Sequence, residues 1–166
     1  MPLPVFAPSA VRIALAAALL AFAGAAPAAA GFNEGVIAAQ NGDWETAMRE
    51  WLPLAEEGNP GAQANIGDLF AHGLGVEKDL EEAFRWHRLA AEQGIGKSQL
   101  FVGLALAAGN GVERDPVLGG MWILVAQRTG ARGARQAFQY ARVQMTDEQM
   151  AEAQRLADAW QPQPAE

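Results

Sequence analysis

The chain is 166 residues long, 51% apolar and 19% charged, with a formal net charge of −7, a composition that belongs to folded globular proteins and not to disordered or fibrous chains. It has no cysteine, which excludes a disulfide framework, a thiolate metal site and a lipid-modified cysteine. The acid excess, with no clustered Lys or Arg, argues against nucleic acid and anionic lipid as partners.

Residues 13–30, IALAAALLAFAGAAPAAA, carry no charge and follow Arg12. A positive start, an apolar run and Ala28-Ala29-Ala30 before Gly31 read as a signal peptide over residues 1–30, cleaved after Ala30. The product is then periplasmic or secreted, with no stable membrane insertion. An uncleaved anchor is the alternative, although Ala, Gly and Pro make a poor permanent span. Removal of Arg12 leaves 11 basic against 19 acidic side chains, a mature charge of −8.

Residues 31–160 read as one helical domain. Sliding residues 58–93 onto residues 94–129, by about 36 positions, aligns Gly58 with Gly94, Gln63 with Gln99, Gly67 with Gly103, Gly73 with Gly109, Gly75 with Gly111, Val76 with Val112, Asp79 with Asp115 and Trp86 with Trp122. Partial units flank these two: residues 43–58 keep Ala47, Trp51 and the AEEG ending, and residues 130–140 keep a glycine and Ala134. Apolar residues at helical spacing (Ile66, Leu69, Phe70, then Leu80, Ala83, Phe84) lie between Gly-rich breaks, so each unit is two antiparallel helices.

Asn59-Pro60 and Asp115-Pro116 place a capping side chain before a proline at the first helical position, and Asp43 and Asp79 cap likewise. Gly58, Gly94 and Gly130 mark ends. Gly67 and Gly103 fall inside a helix at about 1 kcal/mol each relative to Ala, which predicts a close helix-to-helix approach there. Ala62, Ser98 and Ala134 are small for the same reason, while Trp86 and Trp122 fill the space between successive pairs. The linkers Gly73-Leu74-Gly75-Val76 and Gly109-Asn110-Gly111-Val112 reverse the chain through positive φ, with Val as an apolar plug. No strand precedes them and no GK[ST] follows, so they are not phosphate loops. Thr146-Asp147-Glu148-Gln149 is a capping box opening a last amphipathic helix, and residues 161–166 read as a loose tail.

These features predict an all-α, right-handed α-solenoid of antiparallel helix pairs closed by a C-terminal capping helix. A paired helix with GxGV, a following Asp, then AxxW and AAxxG resembles the Sel-one-like repeat (SLR), a cousin of the tetratricopeptide repeat. The matching stretches are AQANIGDLFAHGLGVEKDLEEAFRWHRLAAEQG and SQLFVGLALAAGNGVERDPVLGGMWILVAQRTG, and MTDEQMAEAQRLADAW resembles the terminal cap of exported bacterial members. The second unit departs from the first, with Gly119 where Ala83 stands and Ala105-Leu106 where Leu69-Phe70 stand, which predicts looser packing. The resemblance implies a non-catalytic adaptor or scaffold for other proteins, in bacteria often at the envelope.

A solenoid binds on its concave face, lined by the first helix of each pair. Asn65, Asp68 and His72 share such a face at i, i+3, i+7, and the equivalents next door are Phe101, Leu104 and Ala108. Phe32 and Tyr140 extend the register, giving an aromatic and apolar groove with one acidic rim, suited to a peptide or helix of another protein. The alternative is that Phe101 and Leu104 are buried against the C-terminal helix.

No cofactor, metal or catalytic residue is expected. His72 and His87 sit on different helices without HExxH spacing, and His87, between Trp86 and Arg88, reads as a partly exposed surface histidine with no triad context. The pairs Glu56-Glu57 and Glu81-Glu82 point different ways on their helices and read as solvated faces. Cysteine-rich relatives linked to beta-lactam hydrolysis rely on disulfides that this chain lacks. A monomeric, protein-binding module of the cell envelope therefore ranks first, a carbohydrate- or peptidoglycan-associated helper of envelope assembly second and a hydrolase last.

Overall fold

The computed structural model describes residues 28–163. The leader expected over residues 1–30 lies, as far as residue 27, outside the described residues. Among the described residues the chain forms eight helices and no strand: α1 (Ala28–Gln40), α2 (Trp44–Glu56), α3 (Pro60–His72), α4 (Leu80–Glu92), α5 (Gly96–Ala108), α6 (Pro116–Arg128), α7 (Ala134–Gln144) and α8 (Asp147–Ala159). None is long and apolar enough to cross a membrane.

Helices α1 and α2, α3 and α4, and α5 and α6 pack as hairpins, and α2 lies against α3 and α4 against α5, so the pairs stack in sequence order. This is the helical-repeat solenoid read from the repeat. The starts follow local chemistry. The carboxylate of Asp43 accepts from Thr46 N–H, Asn59 from Ala62 N–H, Asp79 from Glu81 and Glu82 N–H, and Asp115 from Val117 and Leu118 N–H, each satisfying amides that the first turn leaves unpaired.

The GxG linkers work as turns. Gly73 and Gly109 adopt left-handed φ of 69° and 78° and return their N–H to Leu69 and Ala105 carbonyls, closing α3 and α5. Gly75 and Gly111 follow at φ 70° and 71° and lie against the start of the preceding second helix, at Trp44 and Leu80 respectively. Val76 and Val112 then enter the apolar clusters as plugs.

Two apolar clusters fill the rod. One holds Trp51, Leu54, Ile66 and Leu69 with Trp86 half-buried at its edge. The other holds Phe84, Val102, Trp122 and Val125. A polar clasp recurs with the repeat. The fully buried Gln99 donates from Nε2 to Ala91 O (3.2 Å) and accepts from Thr129 Oγ1 (3.0 Å), while the buried Gln63 donates to Ala55 O (3.1 Å) and accepts from Gln93 Nε2 (2.8 Å). The matching of Gln63 to Gln99 in the sequence thus records a joint between successive pairs.

At the C-terminal end α6 receives both α7 and α8. The capping box at Thr146 is formed, Trp160 meets Trp122 edge-to-face with centroids 5.6 Å apart, and Arg128 binds Ala157 O and the Asp158 carboxylate. The expected loose tail is tied at its start, since Gln163 N–H donates to Glu92 O at 2.8 Å; residues 164–166 lie outside the described residues.

Candidate functional site

The first helices of the pairs and the starts of the second helices frame a series of clefts. The first cleft, of about 390 Å³, lies between α2 and α3 and is lined by Trp44, Trp51, Asn65, Asp68, Leu69, His72 and Leu74. One repeat on, the positions of Trp44 and Trp51 become Leu80 and His87, and those of Asn65, Asp68 and His72 become Phe101, Leu104 and Ala108. A further repeat gives Pro116 and Ile123 opposite Ala137, Tyr140 and Gln144. These last five residues, with Leu104, Ala107, Ala108, Arg114, Ala141 and Met145, line a third cleft of about 280 Å³.

The middle cleft is closed. Phe101 lies on the His87 ring with centroids 4.0 Å apart, and His87 is only 1% exposed. The reading of His87 as a surface residue is therefore corrected. Its neighbours Arg85 and Arg88 are exposed, but His87 occupies the inward position filled by Trp51 and Ile123 in the adjacent units. Gly67 makes the seat, because a Cβ there would stand 2.8 Å from the His87 ring.

His87 Nδ1 lies 3.1 Å from Ser98 Oγ, and Nε2 lies 3.3 Å from Asp68 Oδ1, bent out of hydrogen-bond alignment and with no other partner among the described residues. An ionised carboxylate only accepts, so the neutral ring that fits carries its proton on Nε2, with the Ser98 hydroxyl donating to Nδ1. The order Ser98, His87, Asp68 resembles a triad that sequence reasoning did not find. The serine is its wholly buried end (0% exposed) and the aspartate its solvent end, the reverse of what a nucleophile meeting a substrate needs. The chain of groups instead joins α3, α4 and α5.

Asp68 also accepts from Lys97 Nζ at 2.7 Å, and the same ammonium reaches Asn65 Oδ1 at 3.1 Å. Burial pushes the Asp68 carboxyl up, but the His87 imidazole and the Lys97 ammonium beside it outweigh this and hold it below the ordinary carboxylate range. The expected acidic rim is thus a neutralised pair. Lys97 sits at the start of α5, one turn before Phe101, and its reach back to α3 has no counterpart in the repeat pattern.

The seven residues expected on one groove separate. Asn65, Asp68 and His72 meet in the first cleft, and Leu104 and Tyr140 in the third. Phe101 closes the middle, packed on His87. Phe32 lines neither open cleft: its ring lies 6.4 Å from that of Trp51, its carbonyl accepts from Trp51 Nε1 at 3.1 Å, and it packs into the N-terminal core. Leu104 and Tyr140 remain 43% and 67% exposed. Among the described residues no three His, Asp or Glu side chains gather as a metal site.

Stacked helical hairpins with unfilled clefts between them define a helical-repeat interaction module. Residues 60–95 and 96–124 match the Sel1 repeat family model. The chain is similar to c5321, a protective antigen present in uropathogenic Escherichia coli strains and displaying an SLR fold, with TM-score 0.75 and 29% identity over 80% of this chain and 29% of that one; it therefore spans under a third of c5321. It is also similar to a Sel1 repeat protein from Oxalobacter formigenes, with TM-score 0.62 and 33% identity over 68% of this chain and 88% of that one. No match was found among curated proteins. The chain belongs to the Sel1 repeat family, whose members generally mediate protein–protein interaction on a non-catalytic fold.

Proposed function

We propose that this chain is an exported adaptor of the bacterial cell envelope, released from its leader near Ala30, that holds a peptide or helix of another protein on the face formed by its first helices. The third cleft is the anchor. Apart from Arg114 and Gln144 its lining is apolar or aromatic, and Leu104 and Tyr140 stand open to solvent beside it. Exposed apolar surface of this kind, recessed between rigid helices, is what an aliphatic or aromatic side chain of a partner fills.

Panning a random peptide library against the mature protein tests this. Selected peptides are expected to share an apolar anchor residue and to lose at least tenfold in affinity to Leu104→Ser and Tyr140→Ala variants of unchanged melting temperature. Peptides that bind those variants as well as the parent would overturn the assignment. N-terminal sequencing of the exported protein checks the leader, with Gly31 expected first.

A further inference from the structure

We propose that the first cleft is a binding site for a neutral saccharide. At the positions where the third cleft carries Ala137, Tyr140 and Gln144, this one carries Asn65, Asp68 and His72, so the polar set is peculiar to it. The opposite side is Trp44 with Trp51 and Leu74. A ligand that fits has one apolar face and one edge rich in hydrogen-bonding groups.

The charge balance selects a neutral ligand. Asp68 would draw a cation were it free, but its Oδ2 is held by Lys97 at 2.7 Å. Bringing a second ammonium or guanidinium to this carboxylate sets it against Lys97, and an anion meets Asp68 itself. The compensated pair still offers hydrogen bonds.

The free valences are mixed, as hydroxyl groups require. Asn65 spends its carbonyl oxygen on Lys97, which leaves its amide group as two donors with no partner among the described residues. His72 Nδ1 lies 2.8 Å from Asp68 O; a carbonyl only accepts, so Nδ1 carries the proton and the Nε2 lone pair of this exposed ring is an acceptor. Donor, carboxylate and acceptor follow one another along α3 at residues 65, 68 and 72. Vicinal hydroxyls donate and accept at once and answer such a row, while the C–H face of a pyranose packs on the electron-rich face of an indole. A volume of about 390 Å³ lies in the range of small-molecule sites and admits a sugar ring.

The site is separate from the apolar anchor proposed above, and its test is independent of that reading. The 15N-labelled mature protein is titrated with chitotriose, maltotriose and cellotriose while the tryptophan indole and side-chain amide resonances are followed; Trp44→Phe, which keeps an aromatic ring on the cleft wall, assigns the Trp44 indole. At least one sugar is expected to give saturable shifts at Trp44 and Asn65. Asn65→Ala and His72→Ala, both on the cleft wall, each weaken that titration about tenfold, and Leu104→Ser leaves it unchanged. No saturable shift with any of the three sugars, shifts confined to the third cleft, or tighter binding of glucuronate or glucosamine than of the neutral sugars would each overturn the proposal. Peptide binding at Leu104 and Tyr140 is read in a different experiment and stands or falls by itself.

Discussion

Gly67 and His87 fit as backbone and ring, with no room for a methyl group between them: a Cβ at 67 would stand 2.8 Å from the imidazole Cδ2. The same pairing recurs as Gly35 against Trp51 and Gly103 against Ile123. A glycine on the first helix lets the side chain of the second lie flush on its backbone, and the gain in close packing offsets the roughly 1 kcal/mol that glycine costs inside a helix.

Gly67→Ala is therefore expected to destabilise the fold by about 1–3 kcal/mol through overpacking, despite the better helix propensity of alanine. In a His87→Ala background, where the ring is gone, the penalty falls by at least half. Urea denaturation of the four proteins of this double-mutant cycle checks it. Equal penalties in both backgrounds would mean that the ring does not set the approach.

Positive φ and close approach can be separated at two other glycines. Gly42 has φ 77° and nothing within 4 Å of its missing Cβ, whereas Gly111 has φ 71° and would drive a Cβ into the Leu80 carbonyl. Gly42→Ala bears only the left-handed strain, about 1–2 kcal/mol. Gly111→Ala is expected to exceed it by at least about 2 kcal/mol, because backbone cannot move aside as a flexible side chain can. Comparison of their urea midpoints decides.

The helical plan was legible because its signals are local. Asp43, Asn59, Asp79 and Asp115 sit where the first turns need acceptors, and GxGV marks both reversals. The site was less legible because it depends on which residues meet across repeats. His87 stands among charged residues and looks solvated, and only its alignment with Trp51 and Ile123, each facing a glycine, would have placed it inside. The reach of Lys97 to Asp68 spans two helix pairs, and no spacing rule foretells it. The groove drawn as continuous is interrupted because Phe101 and His87 happen to stack where the neighbouring units leave a gap.

Gln99 joins α4, α5 and α6 through one amide. Replacing it with leucine keeps the bulk but removes both bonds of the clasp, while Ala91 O keeps the Gly94 N–H and the Thr129 hydroxyl keeps Ala126 O, so the expected cost is about 0.5–1.5 kcal/mol. Thr129→Val, which removes one partner at a half-exposed edge, costs less. Thermal melting of both orders them, and a Gln99→Leu protein as stable as the parent would show that the clasp is dispensable.

Asp68 gives the rod a defined pH dependence. Its carboxyl is held below the ordinary range in the folded state, so its contribution is fully present above the unfolded-state value of 3.8 and is lost as pH falls through the lower folded value. The side chain is 40% exposed, and solvent screening limits the contribution to about 0.2–1 kcal/mol. The stability gap between the parent and Asp68→Asn is expected to stay constant from neutrality to about pH 5 and to close in stronger acid. Added salt narrows the gap at neutral pH, since the partly exposed Lys97 pair is screened. Urea titrations of both proteins from pH 2 to 7 measure it. A gap that persists unchanged at the acid limit would assign the role of Asp68 to shape and neutral hydrogen bonding, leaving its pairing with Lys97 without weight in the fold.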